Sequence, residues 1–102
     1  MNNFRITGGK GFGITFANGW SVSVQWGPGN YCDNYGMRIG KDDLRAGEDG
    51  SNTAECAIID QEHNFTNIAA LGLEHGVSNR STPDEVAAII AWAVSQPPKV
   101  AK

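Results

Sequence analysis

The sequence predicts an α+β fold, in which a small antiparallel β-sheet of four to six strands, rich in hairpins, carries one C-terminal α-helix. Three observations indicate this fold. Two segments near the amino end alternate apolar and polar residues around an Asn-Gly turn, and one amphipathic helix with its own start and stop signals lies near the carboxyl end. In addition, 13 glycines disfavour a helical bundle. The 102 residues suffice for one hydrophobic core, and we assign residues 1–102 to a single domain.

The first hairpin is the best-defined element of the sequence. Residues 12–16 (FGITF) and 20–26 (WSVSVQW) alternate with the period of two that marks half-buried strands. A two-residue turn at Asn18-Gly19 would leave each face of the hairpin half apolar. A three-residue loop with Gly19 in the left-handed conformation instead places every large apolar residue on one face. We therefore predict the three-residue loop, which pairs Phe16 with Trp20, Ile14 with Val22 and Phe12 with Val24.

Other strands are predicted before and after this hairpin in the chain. Residues 4–7 (FRIT) form an earlier strand, and residues 54–60 (AECAIID) form a later one whose Ala54, Cys56 and Ile58 share a face. Residues 61–64 form the turn that leads to a short strand at 65–68. His63 falls where a left-handed residue suits this turn, and histidine tolerates that conformation better than most residues.

The C-terminal helix has clear boundaries in the sequence. Residues 82–85 (TPDE) supply an N-cap threonine, a proline at the first helical position and a glutamate at the third, which together form a capping box. The helix should extend over about 13 residues, near the mean helix length, and end before Pro97-Pro98. Its apolar stripe is predicted to comprise Val86, Ile89, Ile90, Ala93 and Val94.

The charge of the chain excludes some classes of partner. A net charge of −3 and a pI of about 5.2 disfavour a surface that binds a phosphate backbone, so we expect no nucleic-acid polymer as partner. The amino end lacks the apolar core of a signal peptide, and the longest apolar run, residues 86–94, is too short to cross a bilayer. We expect a soluble, cytoplasmic protein without a membrane partner.

No motif for catalysis, for a metal or for a cofactor is present. Cys32 and Cys56 lack the CxxC spacing, so two free thiols are expected in a reducing compartment, with a disulfide between them as the alternative. His63 and His75 have no ligand spacing to either cysteine, and we predict neither a metal site nor a cofactor. A hydrolase that pairs Cys32 with one of these histidines is conceivable, but nothing in the sequence selects that pairing. We therefore expect no enzymatic activity.

A cluster of aromatic and polar residues follows the hairpin. Aromatic faces beside amide and carboxylate groups can stack a nucleobase and bind its edge or a ribose hydroxyl. The alternative is that the tyrosines only anchor this loop on the core. The candidate ligand-binding residues here are Tyr31, Asp33, Asn34, Tyr35 and Arg38.

A second candidate site precedes the helix, at residues 78–82 (SNRST). Backbone amides at a helix start together with an arginine can bind one phosphate group, so Asn79 and Arg80 are also candidate ligand residues. Asp84 and Glu85 oppose an anion at that helix start. The alternative is therefore a self-capped helix with a solvated arginine.

Four segments of the chain resemble the phage Thoeris anti-defence proteins of the first type. They are residues 10–16 (KGFGITF), 18–20 (NGW), 22–34 (VSVQWGPGNYCDN) and 82–86 (TPDEV), a little over a quarter of the chain. The resemblance implies a small oligomeric β-sheet protein that sequesters cyclic ADP-ribose-type immune signals in the host bacterial cytoplasm without cleaving them. The family has two C-terminal helices where this sequence predicts one, and among the family's ligand residues only Arg80 can be matched.

These observations lead to a primary and an alternative function. The primary one is a phage anti-defence sponge that binds and sequesters a small phosphorylated nucleotide signal of the cyclic nucleotide or cyclic ADP-ribose type. The alternative is a protein that inhibits a host immune effector by direct contact, for which an acidic surface is suitable. Trp20, Trp26 and Trp92 are a large aromatic content for so small a core, which favours a homodimer or a higher homo-oligomer.

Overall fold

In the part of the chain that the structure describes, five strands form one antiparallel sheet in which each strand pairs with the next one along the chain, and one α-helix follows them. A computed structural model describes residues 3–6, 11–26 and 52–99 of the chain. The predicted α+β fold, the number of strands and the C-terminal helix are confirmed. The elements are β1 (Asn3–Ile6), β2 (Gly11–Thr15), β3 (Ser21–Gln25), β4 (Glu55–Ile59), β5 (Phe65–Thr66), a 3₁₀ turn (Ala69–Leu71) and α1 (Pro83–Val94). None of the helical segments in these three ranges is long and apolar enough to cross a bilayer.

The hairpin of β2 and β3 has the register predicted from its apolar pattern. Phe12 lies opposite Val24, and Ile14 lies opposite Val22. The Phe16 N–H donates to the Trp20 carbonyl at 2.8 Å, which closes a three-residue loop. Gly19 has a φ of +89°, so the left-handed residue of that loop is the one without a side chain. The large apolar residues of the hairpin therefore share the face of the sheet on which α1 packs.

The hydrophobic core lies between the sheet and α1, which packs on β3 and β4. Trp20 and Trp92 meet at the edge of this core in a T-shaped contact, with ring centroids 5.3 Å apart. Such a pair stabilises a fold by about 0.5–1.5 kcal/mol beyond the area it buries. The fully enclosed residues are Val22, Val24, Ala54, Cys56, Ile58, Leu73, Ile89 and Ala93.

The helix is capped as predicted, but its apolar stripe is shorter by one residue. The Glu85 N–H donates to Thr82 Oγ1, and the Thr82 N–H donates to a Glu85 carboxylate oxygen at 2.8 Å. Val94 was predicted to be part of the stripe, yet it is 53% exposed. The prediction was wrong because Val94, the last residue of α1, lies about 100° around the helix axis from the buried Ala93. Trp92, on the adjacent side of the helix, packs against the core instead.

A non-helical segment, residues 78–81, pairs with β4 where β5 does not reach. β5 pairs only with the last two residues of β4. Beyond them, Ser78 donates its N–H to the Cys56 carbonyl at 2.7 Å and accepts the Cys56 N–H on its hydroxyl at 3.0 Å. Ala54 and Ser81 exchange backbone hydrogen bonds of 2.8 and 2.9 Å. Residues 78–81 therefore complete this edge of the sheet without forming a strand.

The loop of the first hairpin holds the carboxyl end of α1. The side-chain amide of Asn18 donates to the Ala93 carbonyl at 2.9 Å and to the Gln96 carbonyl at 2.8 Å. The Gln61 amide donates to the Asn18 carbonyl at 2.7 Å and to the Pro97 carbonyl at 3.1 Å. Because the last carbonyls of a helix have no partner within the helix, the Asn18 amide supplies a donor that the helix itself lacks, and the Gln61 amide links Asn18 to Pro97 beyond the helix end. We call Asn18 and Gln61 the amide clamp.

The turn between β4 and β5 has the predicted conformation. His63 has a φ of +67°, in the left-handed region. The Asp60 carboxylate accepts the N–H groups of Glu62 and Asn64 at 2.8 and 2.9 Å, which fixes the turn from inside. β5 is shorter than the predicted strand 65–68, because the chain turns back at Gly72 and pairs Ile68 with Leu73.

Candidate functional site

A cavity of about 350 Å³ opens between the sheet and the start of α1. The sheet forms one wall, and the segment after Ser81 forms the other. Its volume lies near the lower end of the range for small-molecule sites, about 300–1,000 Å³. The lining residues are Phe12, Val24, Trp26, Asn52, Thr53, Ala54, Ser81, Pro83 and Val86.

The cavity combines two aromatic side chains with a few polar ones. Phe12 lies on β2, and Trp26 follows β3 directly, so the hairpin register brings both to the same end of the sheet. Both pack against the core and remain half-buried. Asn52, Thr53 and Ser81 add amide and hydroxyl groups to the lining. An apolar cleft with a small number of polar groups is the usual composition of a site for a small organic ligand.

Arg80 directly precedes Ser81, which lines this cavity, although Arg80 is not itself among the lining residues. It is exposed, and its guanidinium donates to the Asn79 side-chain oxygen at 3.2 Å. Its φ of +53° is left-handed, a conformation that costs a residue with a Cβ about 1–2 kcal/mol. The pairing of Ser81 with Ala54 fixes the chain immediately after it. The two predicted residues of this site, Asn79 and Arg80, thus lie together on an anchored segment.

The first turn of α1 is capped by its own residues, which is the self-capped helix expected from the sequence as the alternative to a phosphate site. The Thr82 hydroxyl accepts a hydrogen bond from the Glu85 N–H, and the Thr82 carbonyl accepts one from the Val86 N–H. The hydrogen bonds that Thr82 provides also lower the pKa of the Glu85 carboxyl, so a negative charge stays at this helix end. A phosphate group at this site would therefore be bound by the Arg80 side chain and not by the amides of the helix start.

The first predicted constellation lies outside the described residues. This applies to Tyr31, Asp33, Asn34, Tyr35 and Arg38, and also to Cys32. The two described residues that flank this part of the chain, Trp26 and Asn52, both line the cavity.

Cys56 is not a nucleophile in this fold. It is a free thiol with no exposed surface, and burial raises its pKa to about 11. At neutral pH it is therefore a protonated thiol, and the reactive thiolate is almost absent. His63 and His75 are both exposed. Among the described residues, no three His, Cys, Asp or Glu side chains are grouped closely enough to hold a metal ion.

The sequence predicts most of the lining residues as parts of strands or of the helix, and none of them is among the candidate ligand residues, although Ser81 belongs to the candidate segment 78–82. Phe12 and Trp26 show the period of a strand, which gives no sign of a cavity beside them. One signal was available for Trp26, since it is a large aromatic residue at the end of a strand, directly before Gly27-Pro28. Asn52 and Thr53 carry no such signal.

Comparison of the chain with models of protein families, with curated proteins and with solved structures finds no match.

Proposed function

We propose that this protein binds a small cyclic nucleotide signal, of the cyclic ADP-ribose or cyclic oligonucleotide type, and sequesters it in the bacterial cytoplasm without cleaving it. The observation that carries the proposal is the cavity with an aromatic wall and polar lining groups, one of which, Ser81, directly follows Arg80 in the chain. In this arrangement a base stacks on Trp26 or Phe12, and a phosphate group meets Arg80.

The chemistry of the cavity fits each part of such a ligand. Stacking of a base on an aromatic side chain contributes about 1–3 kcal/mol and depends little on the base. Amide and hydroxyl groups, such as those of Asn52 and Ser81, can hydrogen-bond the base edge or a ribose hydroxyl. A guanidinium binds phosphate oxygens through two parallel hydrogen bonds. A volume of about 350 Å³ suits one base with its sugar and not a polynucleotide.

Sequestration needs no catalytic group in the cavity. The protected thiol of Cys56 belongs to the core and does not line the cavity. Binding by stacking and by one arginine leaves the bonds of the ligand intact, so release of the ligand should return it unchanged.

The decisive experiment recovers the ligand. The purified protein is incubated with a panel of cyclic nucleotides, freed of unbound ligand and heated, and the released material is identified by mass spectrometry. Recovery of intact ligand supports sequestration. Recovery of an altered ligand shows an enzyme, and binding of none of the panel contradicts the proposal and leaves the inhibitor of a host protein as the function to test.

Trp26 and Trp20 flank the two ends of β3, and substituting each in turn gives a test variant and a control for binding in the cavity. Trp26→Leu keeps an apolar side chain but removes the stacking face, and we expect it to weaken binding by about one order of magnitude or more. Trp20→Leu is the control, since Trp20 packs on Trp92 and does not line the cavity. It should lower the melting temperature and leave the affinity nearly unchanged. Equal effects of the two variants on affinity would place the ligand elsewhere.

Arg80 tests the phosphate contact separately. Arg80→Ala should cost roughly 1.5–3 kcal/mol of binding, or about one to two decades in affinity, and Arg80→Lys should restore little because an ammonium is a point charge. Both variants keep a Cβ in the left-handed conformation of this residue, so its backbone cost is unchanged. Thr82→Ala should show the reverse pattern, with about 1 kcal/mol less stability and little effect on affinity. Calorimetric titrations and thermal melts measure both quantities. Wild-type affinity in Arg80→Ala would rule out this contact.

A further inference from the structure

The outer edge of β1 is open among the described residues. β1 is the first strand of the sheet and pairs on one side with β2. No strand of the described ranges pairs with its other side. The unpaired N–H and C=O groups of such an edge are a template for another strand.

The apolar face of the sheet continues to this edge without cover. Phe4 lies opposite Ile14 in the register, and Ile6 lies opposite Phe12, so both belong to the face that carries the core. The helix packs on β3 and β4, two strands further along the sheet. Phe4 is 80% exposed and Ile6 is 88% exposed, more than any other large apolar residue of the described ranges. The sequence predicts surplus apolar surface on the three tryptophans, but these pack against the core, and the most exposed apolar residues lie on β1 instead.

The charged side chain of β1, Arg5, extends toward β2 and away from the open edge. Natural edge strands are often protected by a charged side chain that hinders further pairing. Arg5 is the charged residue of β1, and its guanidinium donates to Asn3 at 3.0 Å and to the Thr15 hydroxyl on β2. It lies directly over Gly13, where an added Cβ would be only 2.7 Å from a guanidinium nitrogen. Arg5 thus points inward across the sheet, on the face opposite Phe4.

We propose that a second copy of this chain adds its β1 to this edge in an antiparallel, two-fold symmetric pair. The strand is self-complementary, because a two-fold axis brings the exposed apolar residues of both copies onto one face of a continuous sheet. Side-chain alternation then allows two registers that pair three residues of each described strand. One places Phe4 opposite Phe4 of the second copy, and the other places Phe4 opposite Ile6.

Charge selects between these two registers. Pairing of Phe4 with Ile6 would place the Arg5 side chains of both copies directly opposite each other, and like charges in that position are destabilising. Pairing of Phe4 with Phe4 instead places Arg5 opposite Asn3, whose side-chain oxygen already accepts from a guanidinium. The two-fold axis therefore passes beside Phe4.

Disulfide trapping tests this register. In a Cys32→Ser background, Phe4→Cys should form a covalent dimer on mild oxidation, because directly opposed residues have Cα atoms about 4.5–5.5 Å apart, within the span of a disulfide. Ile6→Cys is the matched control. In the proposed register, position 6 of one chain would lie about 13 Å along the strands from position 6 of the second chain, so Ile6→Cys should not form a disulfide. Linkage of Phe4→Cys to Ile6→Cys in a mixture, with no linkage of Phe4→Cys to itself, would overturn the register.

Light scattering over a hundredfold range of concentration tests the association itself. The unmodified chain should approach the mass of a dimer, and Phe4→Glu should remain monomeric, since it places two carboxylates at the axis. Val94→Glu, at another exposed apolar residue, should associate as the unmodified chain does. Near-ultraviolet circular dichroism of the Trp20–Trp92 pair verifies that each variant is folded. A monomer at every concentration, or a dimer that Phe4→Glu leaves intact, would overturn the proposal.

Discussion

At the scale of single residues, Ser78 pairs with the backbone of β4 as a strand residue would, and its buried side chain also accepts a hydrogen bond from β4. It is 1% exposed, its backbone N–H serves the Cys56 carbonyl, and its hydroxyl accepts the Cys56 N–H. The Ser81 hydroxyl donates to the same oxygen at 2.7 Å. Two buried donors therefore depend on one hydroxyl group.

Ser78→Ala should destabilise the fold by about 1–3 kcal/mol, because it leaves the buried Cys56 N–H without its hydroxyl acceptor. Urea unfolding followed by tryptophan fluorescence measures the change. Ser95→Ala is the matched control, since the Ser95 hydroxyl donates to the Trp92 carbonyl at an exposed position. Its effect should stay within a few tenths of a kcal/mol. Equal losses in the two variants would contradict this role of Ser78.

The conformation of a single residue could be predicted where it depends on neighbouring residues in the chain. His63 could be predicted to be left-handed because it lies in a short turn between two recognisable strands. Arg80 could not, since its left-handed conformation is imposed by the pairing of Ser81 with Ala54, which are far apart in sequence. Ala57 shows the same limit. It is buried although it alternates with Cys56 and Ile58, and the period of two assigns it to the other face.

At the scale of elements, the two ends of α1 are stabilised by different kinds of contact. The capping box joins Thr82 and Glu85 through two hydrogen bonds, and both acidic residues of the first turn favour the positive end of the helix dipole. The last turn carries no basic residue and relies on the amide clamp. The signals for the first turn are local and were predicted, whereas the clamp comes from two distant turns and was not.

Glu85→Gln should weaken the helix in a pH-dependent manner. The folded state lowers the pKa of Glu85, so its contribution is present above the ordinary glutamate pKa and is lost as the pH falls through the lowered value. The unmodified chain should therefore be more stable than Glu85→Gln at about pH 7, and the difference should shrink at about pH 3. Urea titrations at both pH values measure it. A difference that is the same at both pH values would contradict the role of this carboxylate.

At the scale of the whole molecule, the fold class and the hairpin register could be predicted from the sequence, because the two strands of the hairpin are joined by a short loop. The position of β4 beside β3 was not predicted. The cavity was not predicted either, because it forms where the end of the hairpin, residues 52–54 and the start of α1 meet. Of the predicted ligand residues, Asn79 and Arg80 precede the lining residue Ser81 in the chain and do not line the cavity themselves. The contribution of the other five remains a prediction, since they lie outside the described residues.

Asn18 links the amino-terminal hairpin to the carboxyl end of the helix, and Asn18→Asp tests this link. The substitution keeps the oxygen that accepts the Trp20 N–H at 3.0 Å but removes both amide hydrogens and turns a negative charge toward the Ala93 carbonyl. We expect a loss of about 1–3 kcal/mol. Asn67→Asp is the control, because its oxygen still accepts the Gly76 N–H. Chemical denaturation of both variants measures the losses, and similar values would contradict the clamp.

The amide clamp also gives the folding reaction an order in time. The hairpin around Asn18 needs only neighbouring residues, and such hairpins close within about 1–10 μs. The Asn18 side chain, by contrast, bonds to carbonyls 75 and 78 positions later in the chain, so its contacts form only after α1 has docked. Loss of the clamp should therefore accelerate unfolding and leave the folding rate nearly unchanged, which corresponds to a φ-value near zero for Asn18→Asp. Asn18 thus helps to determine how long the protein stays folded, and not how fast it folds.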